Sequence, residues 1–268
     1  MKFAIVAAAA GAGIASASMA SLNNNIAALQ RSQNVSNPRE FAGNIKLGLE
    51  PINGYGCWCY LDDTWRDANQ VLINRPAILA HGQIVDPIDE SCRSLINAYK
   101  CIEMDAEANG IEDCDAQSVE YTPFNFFSAA SLSPASIETD CDANNIGECA
   151  QNACKAEGAF TMLYLQLLLT NSITDSPDYN VAHVHNTRGV VGGTFDPEIN
   201  CSGIPNPVGS DKECCGAFEE LTRKPYRLYS GFTTRGCCAG EVINQELTQC
   251  CADTDLNFQG VTDINEQC

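Results

Sequence analysis

Histidine is scarce in this 268-residue chain, with three in total, and so is positive charge: 15 Lys and Arg stand against 34 Asp and Glu. A formal charge of −19 argues against nucleic acid or an anionic membrane as partner, because both attract positive surfaces. No apolar run reaches the roughly 20 residues that a bilayer span needs. No phosphate loop and no Ser, His and Asp constellation stands out. The acidic residues are scattered rather than blocked, which suits a solvated, self-repelling surface better than a dedicated cation trap.

Cysteine is plentiful. The sixteen are Cys57, Cys59, Cys92, Cys101, Cys114, Cys141, Cys149, Cys154, Cys201, Cys214, Cys215, Cys237, Cys238, Cys250, Cys251 and Cys268. An even and dense set of this kind predicts a disulfide framework made in an oxidising compartment. Zinc fits poorly: Cys57-Trp58-Cys59 and the three adjacent Cys-Cys pairs lack the usual spacing, and no histidine sits near them. The N-terminus agrees with export. Lys2 precedes a short Ala-rich run from Phe3 to Ile14, with cleavage expected after Ala17 or Ala20. Loss of residues 1–20 leaves 14 basic against 34 acidic residues, a charge of −20.

Residues 21–50 read as a short N-terminal helix and a connector. Asn34-Val35-Ser36 and Asn200-Cys201-Ser202 are glycosylation sequons, the second a poor one if Cys201 is in a disulfide. Asp86-Pro87 opens the first strong helix, an N-cap acid followed by proline at the first helical position. Ile88, Cys92, Leu95, Ile96, Tyr99 and Ile102 fall on one face, with Asp89, Glu90, Arg93 and Lys100 outside it. The helix should run to about Ala106 and stop at Asn109-Gly110. Tyr121 to Phe127 suits a short strand, Ser128 to Ser136 a loop, and Cys149 to about Asn171 a second long helix. The stretch 176–200 reads as a linker of loops. Residues 201–268 hold eight cysteines and read as a small module that depends on cross-links. Adjacent cysteines make a strained ring with each other, so each pair should tie to two different neighbours.

Tyr55-Gly56-Cys57-Trp58-Cys59 resembles the calcium loop of the secreted phospholipase A2 family. Gly82 with Val85-Asp86-Pro87-Ile88-Asp89, then Cys92, resembles that family's approach to its first catalytic helix. Cys149 to Glu157 resembles its opposing helix, so the likeness covers about residues 40 to 170, with the domain at 51–175. It implies a mainly α, disulfide-rich fold: a pair of antiparallel helices with a small β arm, plus the Cys-rich C-terminal module. It also implies where chemistry should be. The position of the catalytic histidine matches Ile96, or Leu95 one residue earlier, and that of the metal-binding aspartate matches Asn97. The loop glycines are replaced by Tyr60-Leu61-Asp62-Asp63, and the connection from loop to helix is markedly longer than in the family. An alkyl side chain cannot accept a proton, so no general base stands there.

Glu157, matching the acid that orients the histidine, has no ring to orient and is expected to be partly buried against a Tyr hydroxyl or a backbone amide. His183-Val184-His185 offers two metal ligands on one side of an extended segment, short of a third, and ordinary loop histidines are favoured. His81 is a distant replacement for the missing base. No cofactor is expected beyond weak calcium binding at carboxylates such as Asp105, Glu107, Glu112, Asp113 and Asp115. The tail pattern Cys214-Cys215-Gly216, Pro225-Tyr226, Cys237-Cys238, Cys250-Cys251 is similar to modules of secreted and cell-surface proteins. The expectation is a secreted pseudoenzyme used structurally, which associates with itself or with other extracellular proteins. The alternatives are a calcium-dependent phospholipase and a non-catalytic lipid- or carbohydrate-binding module.

Overall fold

The computed structural model describes residues 22, 52–59, 82–122, 133–167, 177–201, 212–253 and 258–266. The signal segment, the N-terminal connector, Asn34, His81, Tyr60 to Asp63 and Cys268 lie outside them. Helix α1 spans Pro87–Ala108. Asp86 caps it, its Oδ1 accepting from the N–H groups of Ile88 and Asp89 at 3.0 Å each. Asn109 closes it at the other end, its N–H donating to Asp105 O at 2.9 Å. Helix α3, Glu148–Leu167, packs on α1. Tyr99 meets Glu157 while Asn109, farther along α1, meets Glu148 at the start of α3, so the two run antiparallel. Between them Leu95, Tyr99 and Ile102 interleave with Ala153, Ala156, Phe160 and Tyr164 in a buried core. Each large apolar side chain buried in this way contributes about 1.5–3 kcal/mol.

The expectation of a mainly α chain is corrected by the seven strands after residue 211. β1 (Lys212–Cys215) pairs with β2 (Lys224–Arg227); β3 (Tyr229–Ser230), β4 (Thr233–Cys238) and β5 (Glu241–Asn244) form a second sheet; β6 (Thr248–Asp253) pairs with β7 (Phe258–Asp263), all antiparallel. Strands of two to six residues built around Cys-Cys and Gly are too short to show an alternating pattern in sequence. A second correction falls at 134–144, where an irregular loop was expected to reach Ser136. There α2 (Pro134–Asn144) starts with Ser133 as cap, the Ser133 and Ser136 side chains and backbone bonding reciprocally. Its apolar face is only Ile137 and Cys141, so it carries no readable stripe. A short helix α4, Pro197–Asn200, completes the set of four among the described residues.

Seven disulfides join fourteen of the cysteines. They are Cys57–Cys201, Cys59–Cys92, Cys101–Cys214, Cys114–Cys149, Cys141–Cys154, Cys215–Cys237 and Cys238–Cys250. Cys251 is also bonded. Cys114, half-buried in the turns that follow α1, ties them to the first turn of α3 through Cys149. Cys141 ties α2 to the same helix through Cys154. Neighbouring residues of a strand face opposite ways. Cys214 therefore reaches α1 while Cys215 reaches β4, and Cys237 and Cys238 diverge to β1 and β6. The C-terminal module is thus bolted onto α1, where Arg223 adds a salt bridge to Asp105 at 2.7 Å. No helix among the described residues is long and apolar enough to cross a membrane.

Candidate functional site

The loop 54–59 folds back on itself, Gly54 N–H donating to Cys59 O at 2.8 Å and Cys59 N–H to Tyr55 O at 3.3 Å. Cys59–Cys92 fastens it to α1 and Cys57–Cys201 to the end of α4. Segment 181–195 lies along its other side. Gly56 N–H donates to His183 O at 3.0 Å, His185 N–H to Gly54 O at 3.0 Å, and His185 Nε2 stands 2.6 Å from Gly56 O. The main-chain carbonyls of Gly54, Tyr55 and Gly56 therefore meet donors from the protein itself rather than converging on a shared centre. A loop that held calcium would present its carbonyls together. Residues 54–56 present no such centre; the Tyr60 to Asp63 stretch, which stands in place of the family's loop glycines, lies outside the described residues.

What the loop offers instead is its N–H groups, and they point at Asp89. The carboxylate of Asp89 accepts from Trp58 N–H at 2.8 Å, from Val85 N–H at 3.2 Å and from the Cys57 amide. Asp89 is fully buried, which corrects its expected place outside the apolar face: the loop covers the first turn of α1. Burial pushes its carboxyl up to about 6, against the pull of the three N–H groups. Gly56 makes this approach possible. Its φ is +58°, and a Cβ there would lie 2.4 Å from the Asp89 carboxyl. Gly56→Ala should therefore lose about 2 kcal/mol of unfolding free energy in urea titrations, from left-handed strain plus displacement of Asp89.

Asp86 heads a second cluster. Its Oδ2 accepts from the Tyr55 hydroxyl at 2.5 Å and lies 2.6 Å from His183 Nδ1. The Tyr55 oxygen in turn accepts from Asn180 N–H at 2.9 Å. Burial, and then the Asp86 hydrogen bond, hold the Tyr55 hydroxyl well above the usual tyrosine range. His183 Nδ1 faces a carboxylate and so carries the proton, leaving Nε2, 3.4 Å from Asn180 Nδ2, as the ring's acceptor. His185 is fully buried, and that burial pushes its imidazole down to about 4. Both rings pack on Phe195 but reach different partners, His183 the Asp86 carboxylate and His185 the Gly56 carbonyl.

The positions that match the family's histidine and metal-binding aspartate lie on α1 in or beside the core. Leu95 is fully buried, Ile96 nearly so, and Asn97 is half-buried on α1. Glu157 is buried beneath two tyrosines: Tyr99 donates to Oε1 at 2.8 Å, and Tyr121 donates to Oε2. Burial and the Glu157 charge raise the Tyr121 hydroxyl well above its ordinary value. Trp58 is 8 % exposed, with Lys100 Nζ 5.7 Å from its ring centre. Burial, then Lys212, holds the Lys100 ammonium below the usual lysine value.

Of the carboxylates named for weak calcium binding, Glu107, Glu112 and Asp113 line one surface concavity. Asp105 is bound to Arg223, Asp115 accepts from Gln117 N–H, and no group of three metal-ligating side chains forms among the described residues. Asn200 is exposed with Nδ2 bonded to Asp196 O, while Cys201 beside it is buried in its disulfide. Sequence reasoning missed Asp86, Asp89, Tyr99 and Tyr121 as site residues; only the Asp-Pro cap gave a signal for any of them. No protein-family model matches the chain, and no curated protein or solved structure matches it significantly.

Proposed function

We propose that this chain is a secreted, catalytically inactive phospholipase A2-like protein that serves structurally, as a subunit of an extracellular assembly. The observation that carries the reading is the Glu157 carboxylate: it is spent on the Tyr99 and Tyr121 hydroxyls, and the side chains at the expected base position, Leu95 and Ile96, are packed as core. A hydrolase needs a proton acceptor within hydrogen-bond reach of its water, and none stands there. The described part of the loop supports the same reading, since the N–H groups of Cys57 and Trp58 turn to Asp89 and the carbonyls of Gly54, Tyr55 and Gly56 to amides and His185. The disulfide framework suits an oxidising exterior.

A relocated hydrolase is the second reading, favoured by one contact: Asp86 and His183 form a carboxylate–imidazole pair with Nε2 as the ring's acceptor. One experiment separates the two. Purified protein is incubated with mixed phospholipid vesicles, with calcium or with chelator, and released fatty acid is measured. No release above buffer is expected. Release that disappears in His183→Gln would establish the second reading. Gel filtration of the same material should show species larger than one chain.

A further inference from the structure

The scarcest charge in this protein is concentrated in one place. Between residues 221 and 240 there is no Asp or Glu, while Arg223, Lys224, Arg227 and Arg235 all fall there, in a chain of net charge −19. Arg223 is taken by Asp105. Lys224, Arg227 and Arg235 take part in no salt bridge among the described residues.

At the centre of this stretch is the β3–β4 hairpin. Its two-residue turn, Gly231-Phe232, joins Ser230 to its partner Thr233. Gly231 has φ +66°, the left-handed geometry that a tight hairpin turn asks of its first central residue. Thr233 Oγ1 donates to Ser230 O at 2.7 Å and closes the turn. The tip is therefore stiff, and it lifts Phe232 fully into solvent, with Tyr229 61 % exposed beside it. A fixed, exposed aromatic among unpaired cations has the composition of an interface anchor rather than of a solvated turn.

We propose that this hairpin is the docking surface for a second copy of the same chain, whose acidic face it complements. This rests on the structural-subunit reading above and specifies how the subunits join. A polyanionic chain offers its own kind abundant carboxylate surface, and one such surface also offers an apolar contact. At the end of α1, the exposed Glu103 and Glu107 of its last turns and Glu112 and Asp113 of the turn that follows surround Ile111 in a concavity of about 640 Å³. Hairpin and acidic ridge are different patches of one molecule, so their contact is head-to-tail. Such a contact repeats without closing unless its rotation happens to make a ring, and it builds filaments.

The test uses full-length protein and sedimentation velocity, with negative-stain microscopy of the same samples. Wild type should form concentration-dependent oligomers. Phe232→Asp should weaken self-association by about thirtyfold, as loss of an anchor does. The double variant Glu107→Lys/Glu112→Lys should do the same from the other side. Each variant keeps one intact surface, so a mixture of the two should yield dimers and nothing longer, the signature of a head-to-tail joint.

Assembly of Phe232→Asp equal to wild type would overturn the hairpin and leave the structural reading standing. A mixture that gives no dimer would overturn the head-to-tail arrangement. A wild type that stays monomeric at every concentration would end both. A monomer that sediments with phosphatidylserine vesicles, and loses this in Phe232→Asp, would reassign the hairpin to lipid.

Discussion

Asp89→Ala should lose about 3 kcal/mol of unfolding free energy at pH 7, because it leaves the buried N–H groups of Cys57 and Trp58 and the half-buried one of Val85 without an acceptor. Asp89→Asn should lose less, and it exposes a pH effect. Asp89 is held up at about 6, so near pH 5 the folded protein keeps a proton that the unfolded chain, with its ordinary value of 3.8, has released. Stability from this group is complete below the unfolded value and is lost as pH rises through 6. His185 runs the other way. Held down at about 4, it stays neutral in the fold while the unfolded chain takes up a proton at 6.5. Its stability is complete above 6.5 and is lost as pH falls through 4.

Each of these linkages is worth about 3 kcal/mol, and over the same pH range they oppose one another. Relative to wild type, Asp89→Asn should therefore lose stability as pH falls from 6.5 to 4, and His185→Gln should lose it as pH rises from 4 to 6. Urea titrations at several pH values, followed by circular dichroism, measure both slopes. Parallel curves for the two variants would contradict the assignment.

The largest loss is expected at Glu157. Tyr99→Phe and Tyr121→Phe should each cost about 1.5–3 kcal/mol, the range for a hydrogen bond to a charged group. The two hydroxyls bond the two oxygens of one carboxylate, so the double variant should depart from simple addition. Replacing all three residues, Tyr99→Phe/Tyr121→Phe/Glu157→Met, should recover most of the loss, since an apolar set of similar volume leaves no charge buried. A triple variant as unstable as the double would mean that Glu157 stabilises the fold through some other partner.

The features legible in sequence were the ones set by local rules. The cap of Asp86-Pro87 and the stop at Asn109 place α1 within two residues, because capping depends on neighbours in the chain. The divergence of adjacent cysteines follows from strand geometry. That Cys114 should pair with Cys149, across 35 positions, was not legible, because an even count of cysteines fixes bonding and leaves connectivity open. Glu157 was readable as an inward-facing carboxyl from its place on α3 beside Cys154 and Phe160, but the expectation left a Tyr hydroxyl or a backbone amide as its partner, and the two tyrosines that bind it were not legible. Asp89 was misplaced because a helix pattern says nothing about a loop 31 residues earlier lying across its first turn. The Asp86–His183 pair, 97 residues apart, was invisible for the same reason. The strands of the module could not be read because each is shorter than its own periodicity signal.

The Cys57–Cys201 bond also has a meaning outside the fold. It spans 144 positions, and Cys101–Cys214 overlaps it. A single peptide-bond cut anywhere from Cys57 to Cys214 therefore leaves both fragments covalently attached. A chain nicked within this span stays one molecule until its disulfides are reduced.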